Sequence, residues 1–203
     1  MDDHWEIQPH QGIGPIAFGM SEEAVLDIGA EPFGEVEAAG PVGQQSDDEA
    51  YRILVETMGE EAAREAMGAL AADGISFKPT RRVNFVSGLM LDFVEDELDS
   101  IMCHSAASDL HISGQRFFGV DPVPALRRLQ TLNEAPPLVK GADCHFRQLN
   151  LTAFECLVLL PAGMFRATAE GTDEALQKSV GWSRAPRQPN EDFSEHTEVD
   201  LGG

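Results

Sequence analysis

Five carboxylates fall within eight positions at Asp92, Glu95, Asp96, Glu97 and Asp99. Paired carboxyl groups can serve as general acid and base, but only when one is desolvated and protonated while its neighbour stays ionised. These five flank a stretch that reads as a hairpin turn, where water reaches every side chain. Their expected role is a solvated turn or an anionic contact patch, not a catalytic pair. Glu56, Glu60 and Glu61 add negative charge on a helix face, either as a wet surface or as part of the same contact.

The pairs Cys103-His104 and Cys144-His145, with His111 and Cys156, offer soft metal ligands. Adjacent residues of a strand point to opposite faces, so neither pair can readily close on one ion. A Cys-His nucleophile would need a thiol brought beside a distant histidine that a third group orients. Buried thiols and ordinary histidines are the plainer reading. A small hydrolase or metal-dependent enzyme using His104, His111 or His145 with Cys144 stands as the alternative. The glycines of Gly12-Ile13-Gly14 and Gly19 suggest a phosphate cradle, yet Gly19 is followed by Met20-Ser21 with no lysine nearby, as a P-loop requires. Tight turning is the better use for them. No cofactor and no metal is implied.

The elements that must position these residues follow from periodicity and punctuation. Trp5 to Gln8 and Ile13 to Phe18 read as short extended pieces, and Ser21 as the N-cap of a helix of about two turns ending at Gly29. Glu22 and Glu23 suit its first turn, where the helix dipole favours negative charge. Residues 31 to 45 lack a clean period and read as a loop. Ser46-Asp47-Asp48-Glu49 has capping-box spacing, and Tyr51, Leu54, Val55, Met58, Ala62, Ala66 and Leu70 then recur at helical steps as far as Asp73-Gly74. Gly59 is a point of division. Val83, Phe85, Leu89, Leu91 and Phe93 alternate as strands, and Leu98, Ile101 and Cys103 resume after Glu95-Asp96-Glu97, which predicts a hairpin with an acidic turn. Further on, a helix opens at Asp121-Pro122 with Leu126, Leu129 and Leu132 as its stripe. Strands are expected at 145–151, 153–160 and 164–169.

An internal echo organises these elements. Gly14, Phe18, Gly19 and Ser21 recur one hundred residues later as Gly114, Phe118, Gly119 and Asp121. The expected fold is therefore α+β, with two related halves, each a short helix followed by antiparallel strands. The first half covers 1–108 with an added helix at about 46–72, and the second covers 109–182. Residues 183–203, rich in Pro, Glu, Asp and Ser, read as an acidic flexible tail.

The chain of 203 residues carries 35 Asp and Glu against 14 Lys and Arg, a formal charge of −21. Such a field repels phosphate backbones and anionic lipid, which excludes direct nucleic-acid binding, and it attracts cationic partners. No apolar run approaches the ~20 residues needed to span a bilayer. Met1-Asp2-Asp3-His4-Trp5 lacks a secretion pattern. Three cysteines form neither a paired framework nor a CxxC motif. A cytoplasmic setting is expected.

The segment Gly12-Ile13-Gly14-Pro15-Ile16-Ala17-Phe18-Gly19-Met20-Ser21-Glu22-Glu23-Ala24-Val25, with the hairpin from Leu89 to Met102, resembles small bacterial immunity-type proteins encoded beside polymorphic toxins. It is also similar to the helix-then-sheet unit shared by the β-lactamase inhibitor proteins and the small outer-membrane assembly lipoproteins. This resemblance implies a tandem α+β scaffold whose curved sheet binds another protein, and it transfers no functional residue. The expected function is an acidic protein-binding protein that neutralises a cationic toxin, with Glu56, Glu60, Glu61, Asp92, Glu95, Asp96, Glu97 and Asp99 as the partner-binding set. A housekeeping module whose charge serves solubility alone is the third reading.

Overall fold

Alternate side chains of the central strands are buried, and this alternation places one face of a large sheet against the core. A computed structural model of the chain describes residues 3–43, 46–72, 78–160, 164–168, 177–186 and 193–202. After a 3-10 turn at Asp3–Trp5, the first half runs through the short strands β1 (Ile7–Gln8), β2 (Gly12–Ile13) and β3 (Ile16–Ala17) to helix α1 (Glu22–Phe33). Strand β4 (Val36–Pro41), helices α2 (Asp47–Met58) and α3 (Glu60–Ala72), and strands β5 (Thr80–Phe85), β6 (Leu89–Val94) and β7 (Glu97–His104) complete it. The second half comprises β8 (His111–Ile112), β9 (Gln115–Arg116), α4 (Val123–Asn133), β10 (Leu138–Lys140), β11 (Asp143–Phe146), β12 (Leu151–Phe154), β13 (Leu157–Leu159), β14 (Phe165–Ala167) and β15 (Ser179–Ser183). A last strand, β16 (Thr197–Glu198), follows.

Nine strands form one antiparallel sheet in the order β16-β10-β11-β12-β15-β7-β6-β5-β4. The closing strands of the two halves, β7 and β15, pair at its centre from Ser100↔Ser183 to His104↔Ser179. Outward from that seam the order is β6, β5, β4 on one side and β12, β11, β10 on the other. The halves are thus mirrored in strand order, each a small hairpin, a helix and a four-stranded meander, and they share one continuous sheet.

The hairpins that open the halves correspond more closely than the spacing of glycines suggests. Ile13 pairs with Ile16 across Gly14-Pro15, and Ile112 pairs with Gln115 across Ser113-Gly114. Gly14 and Ser113 share φ +48°. Phe18 N donates to Gln11 O as Phe117 N donates to Leu110 O. The counterpart of Phe18 is therefore Phe117, not Phe118, and one extra residue restores the match of Gly19 with Gly119. At Gly14 glycine is needed for a second reason, because a Cβ would collide with the backbone of His4.

Several boundaries depart from the periodicity. Helix α1 continues past Gly29 and through Pro32, because Phe33 is buried edge-on between Trp5 (ring centroids 4.9 Å apart) and Phe85 (6.2 Å). Tertiary packing outweighs the breaker. Strand β4 lies in the expected loop. Its residues are mostly exposed and small, and it exists by pairing with β5, not by a hydrophobic pattern of its own. The long helix is two helices divided at Gly59, whose φ is +87° and whose N–H caps α2 by donating to Val55 O. The helix end expected at Asp73-Gly74, and Ala169, lie outside the described residues. In the second half α4 begins after Pro122, with the Asp121 carboxylate accepting from Val123 N at 3.0 Å. The C-terminal segment read as a flexible tail returns to the sheet: β16 pairs with β10, and Val199 and Leu201 are buried.

One contiguous core fills the space between the sheet and the helices. Leu91, Phe93, Ile101, Leu151 and Trp182 from the strands meet Val25 and Phe33 of α1 and Leu126 and Leu129 of α4. The indole Nε1 of Trp182 donates to Gly12 O at 3.1 Å, tying β15 to the N-terminal hairpin. Among the described residues, no helix is long and apolar enough to cross a membrane.

Candidate functional site

The acidic hairpin turn is built by two consecutive residues in the left-handed region, Glu95 at φ +53° and Asp96 at φ +68°. Two-residue hairpin loops favour Asn-Gly there, since positive φ costs a residue with a Cβ about 1 kcal/mol. The turn seats instead on the start of α1. Asp96 Oδ1 accepts from Glu22 N at 3.4 Å. Leu98 N donates to Met20 O, and Gly19 N donates to Leu98 O. Ser21 bridges to Glu97 and caps the helix through its Oγ, which accepts from Ala24 N at 3.3 Å.

Cations surround the carboxylates that the sequence grouped together. Lys78 Nζ lies 2.8 Å from Glu95, Arg184 Nη1 lies 2.8 Å from Glu97, and Arg81 grips Glu22 through two bonds of 2.7 and 3.0 Å. On the sheet face opposite the core, Arg82 holds Asp92 by a fork of 2.7 and 2.9 Å, and Ser100 Oγ donates to the same carboxylate at 3.3 Å. The Glu95 hydrogen bond raises the Lys78 ammonium above its ordinary pKa, and Asp92 and Glu22 do the same for Arg82 and Arg81. Asp99 offers its backbone carbonyl to Arg184 N. Four of the fourteen Lys and Arg residues are committed here, to Glu22, Asp92, Glu95 and Glu97, so this hairpin end is compensated in part. Beside it an open depression of about 580 Å³ is lined by Glu22, Glu23, Asp27 and Asp96, with Leu26 and Arg81.

Glu56, Glu60 and Glu61 sit elsewhere, where α2 meets α3. Glu60 accepts from Arg64 of its own helix at 2.8 Å. The extensive packing of α2 and α3 is with each other, and none of comparable extent joins them to β6 or β7. The eight carboxylates therefore form two groups of different character: one laced with cations, the other on a helical arm.

Histidines and thiols do not converge. Cys103, Cys144 and Cys156 are buried and form no disulfide, and burial pushes the thiols of Cys103 and Cys144 well above their ordinary range. Cys144 faces the core while His145 lies on the opposite sheet face, its Nδ1 3.1 Å from Thr152 Oγ1. His104 is exposed and His111 buried. Among the described residues no group of three or more His, Cys, Asp or Glu is arranged to hold a metal.

A feature that the sequence did not suggest lies on the second half's outer sheet face. His145, Phe193 and His196 stack edge to face, with centroids 4.8 to 5.9 Å apart, and Arg147 covers Phe193 at 4.8 Å. His145, Arg147 and Phe193 border a groove of about 810 Å³ that Thr152, Phe154 and Gly181 also line. Some fifty residues separate His145 from His196, and no local pattern signals their meeting. The groove's polar groups are largely used internally: Asn133 spans Ala135 O and Gln148 N, and Ser183 Oγ donates to Ala185 O.

Comparison with protein-family models, curated proteins and solved structures finds no match.

Proposed function

We propose that this is an acidic protein-binding protein of the immunity type, which neutralises a cationic toxin in the cytoplasm. The observation that carries the reading is the charge of −21 on a scaffold where cations are already spent within the fold. Lys78, Arg81, Arg82 and Arg184 each face a carboxylate. Beyond these four pairs the sequence holds 31 acidic residues against ten Lys and Arg (35 less 4, and 14 less 4), an excess whose field accelerates encounter with a basic protein. Resemblance of the Gly12–Val25 segment to immunity-type proteins supports the same reading. So do three buried cysteines that form no disulfide, which suit a reducing compartment. Against a thiol-dependent hydrolase, burial holds the Cys103 and Cys144 thiols neutral, and His145 lies on the sheet face opposite Cys144.

The test is co-expression and pull-down with the product of the adjoining gene, followed by association kinetics over a salt series. Binding whose on-rate falls steeply with salt, while the complex persists at moderate salt, is expected. Absence of binding at both low and moderate salt would refute the proposal.

A further inference from the structure

The arm formed by α2 and α3 is an excursion of the first half, inserted between its first and second meander strands; the corresponding strands of the second half, β10 and β11, are joined by a tight turn at Gly141-Ala142. The core of the fold does not need it. What it exposes is informative. On α2 the apolar arc from Ile53 round through Ala50, Leu54 and Met58 to Val55 spans about 200°, whereas packing on one neighbouring helix covers an arc of about 100°. Burial agrees with that arithmetic. Ala50 and Ala63 are the fully buried residues of the two helices, while Ile53 and Met58 are 40% and 47% exposed.

Charge says what kind of surface would cover the excess. Residues 47–72 hold seven Asp and Glu against Arg52 and Arg64, and both arginines lie beside glutamates of their own helix. Glu56 borders this arc on its Ile53 side, and neither Glu56 nor Glu61 has an ion-pair partner among the described residues. A second copy of this chain would bring the same negative surface against itself, which like-charge repulsion disfavours. An apolar stripe rimmed by carboxylates is complementary to an amphipathic helix with leucine-type anchors on one side and lysine or arginine beside them.

We propose that the α2–α3 arm is the docking surface for a cationic amphipathic helical segment of the partner protein. This rests on the binding reading above and sharpens it: the arm, not the Glu95–Glu97 hairpin, makes the contact. Apolar burial supplies the lasting affinity, and Glu56, Glu60 and Glu61 supply the steering.

The probe is a short fluorescein-labelled amphipathic helix of leucine and lysine, titrated into the full chain and followed by anisotropy, with a lysine-only peptide of equal length beside it. The paired substitution Ile53→Ser/Met58→Ser is expected to weaken the amphipathic probe about tenfold. Glu56→Gln/Glu61→Gln should weaken it and flatten its salt dependence. Glu95→Gln/Glu97→Gln should leave it within about twofold. All substituted side chains are exposed, and far-UV circular dichroism verifies the fold. Equal affinity of the Ile53/Met58 variant and the wild type would overturn the proposal, as would equal binding of the lysine-only peptide. A self-association that sedimentation detects in the wild type and not in that variant would also overturn it, by assigning the arm to a second copy. If the adjoining gene product binds the wild type and the arm variant equally, the arm inference alone falls. If it binds neither and the peptides fail too, the binding reading falls with it.

Discussion

Replacing Trp182 by Phe tests whether the two halves act as one cooperative unit. Trp182 is 1% exposed, lies in β15 at the central seam, pairs with Ile101 of β7, and donates its indole N–H to Gly12 O at 3.1 Å. Phe keeps the ring against the core but leaves the buried Gly12 carbonyl without that donor, at a cost of about 1–2 kcal/mol. The smaller ring adds about 1 kcal/mol for contacts the core cannot fully recover. The expected loss is about 2–3 kcal/mol, a large fraction of the 5–15 kcal/mol typical of a domain. Urea unfolding followed by the fluorescence of Trp5, the other of the two tryptophans, measures it in the 3-10 turn that precedes the N-terminal hairpin. Because Trp5 packs on Phe33, which in turn packs on Phe85 of the first half, its transition should shift by the same amount as circular dichroism of the whole chain. A change below about 0.5 kcal/mol, or a Trp5 transition that stays put while the circular dichroism transition moves, would refute the shared core.

Three further outcomes follow from the same geometry. Gly59→Ala forces a side chain into φ +87° at the junction of α2 and α3 and should destabilise the arm by about 1 kcal/mol, read as faster amide exchange in α2 with the sheet unchanged. The Asp200 carboxylate is held below its ordinary value of 3.8 by bonds from Gln130 and Gly202 N, and Glu195 below 4.5 by the Lys140 ammonium. Because both values are depressed in the fold, their stabilisation is present above those ordinary values and is lost as pH falls through the folded ones. The β16 segment should therefore loosen in acid, seen as a chemical-shift change at Phe193. Finally, Cys103, Cys144 and Cys156 should resist a thiol reagent in the folded protein at neutral pH and react fully in urea, and rapid modification of the native chain would contradict their burial.

The alternating strands at Val83–Cys103, the Ser21 and Ser46 caps and the Gly59 break were legible because each depends on neighbours in sequence. Phe85, Leu91 and Phe93 announce a buried face by period alone. Strand β4 was not legible, since Val36–Pro41 owes its conformation to hydrogen bonds from β5, and its small exposed residues carry no pattern. Pro32 misleads for the related reason that Phe33 is held by Trp5, far away in sequence. The candidate site divides in the same way. A cluster of acids at 92–99 was visible, but the cations that pair with three of the five, Lys78, Arg82 and the distant Arg184, were not. The meeting of His145 with His196 depends on a return of the chain that no spacing encodes.

The two halves share a frame but differ in where each extends it. The first half lengthens the link between its first two meander strands into the α2–α3 arm, and joins its last two by the tight Glu95-Asp96 turn. The second half closes its first link tightly at Gly141 and lengthens the last into the β13–β14 hairpin. Core residues such as Leu91, Ile101, Leu151 and Trp182 are constrained by the seam they share, so divergence between halves is cheapest in the links, where loop closure costs little. A binding surface placed on such a link can change without unsettling the sheet. That is consistent with exposed apolar side chains and carboxylates coinciding on the arm, whereas Asp92, Glu95 and Glu97 of the hairpin are each paired with an arginine or a lysine.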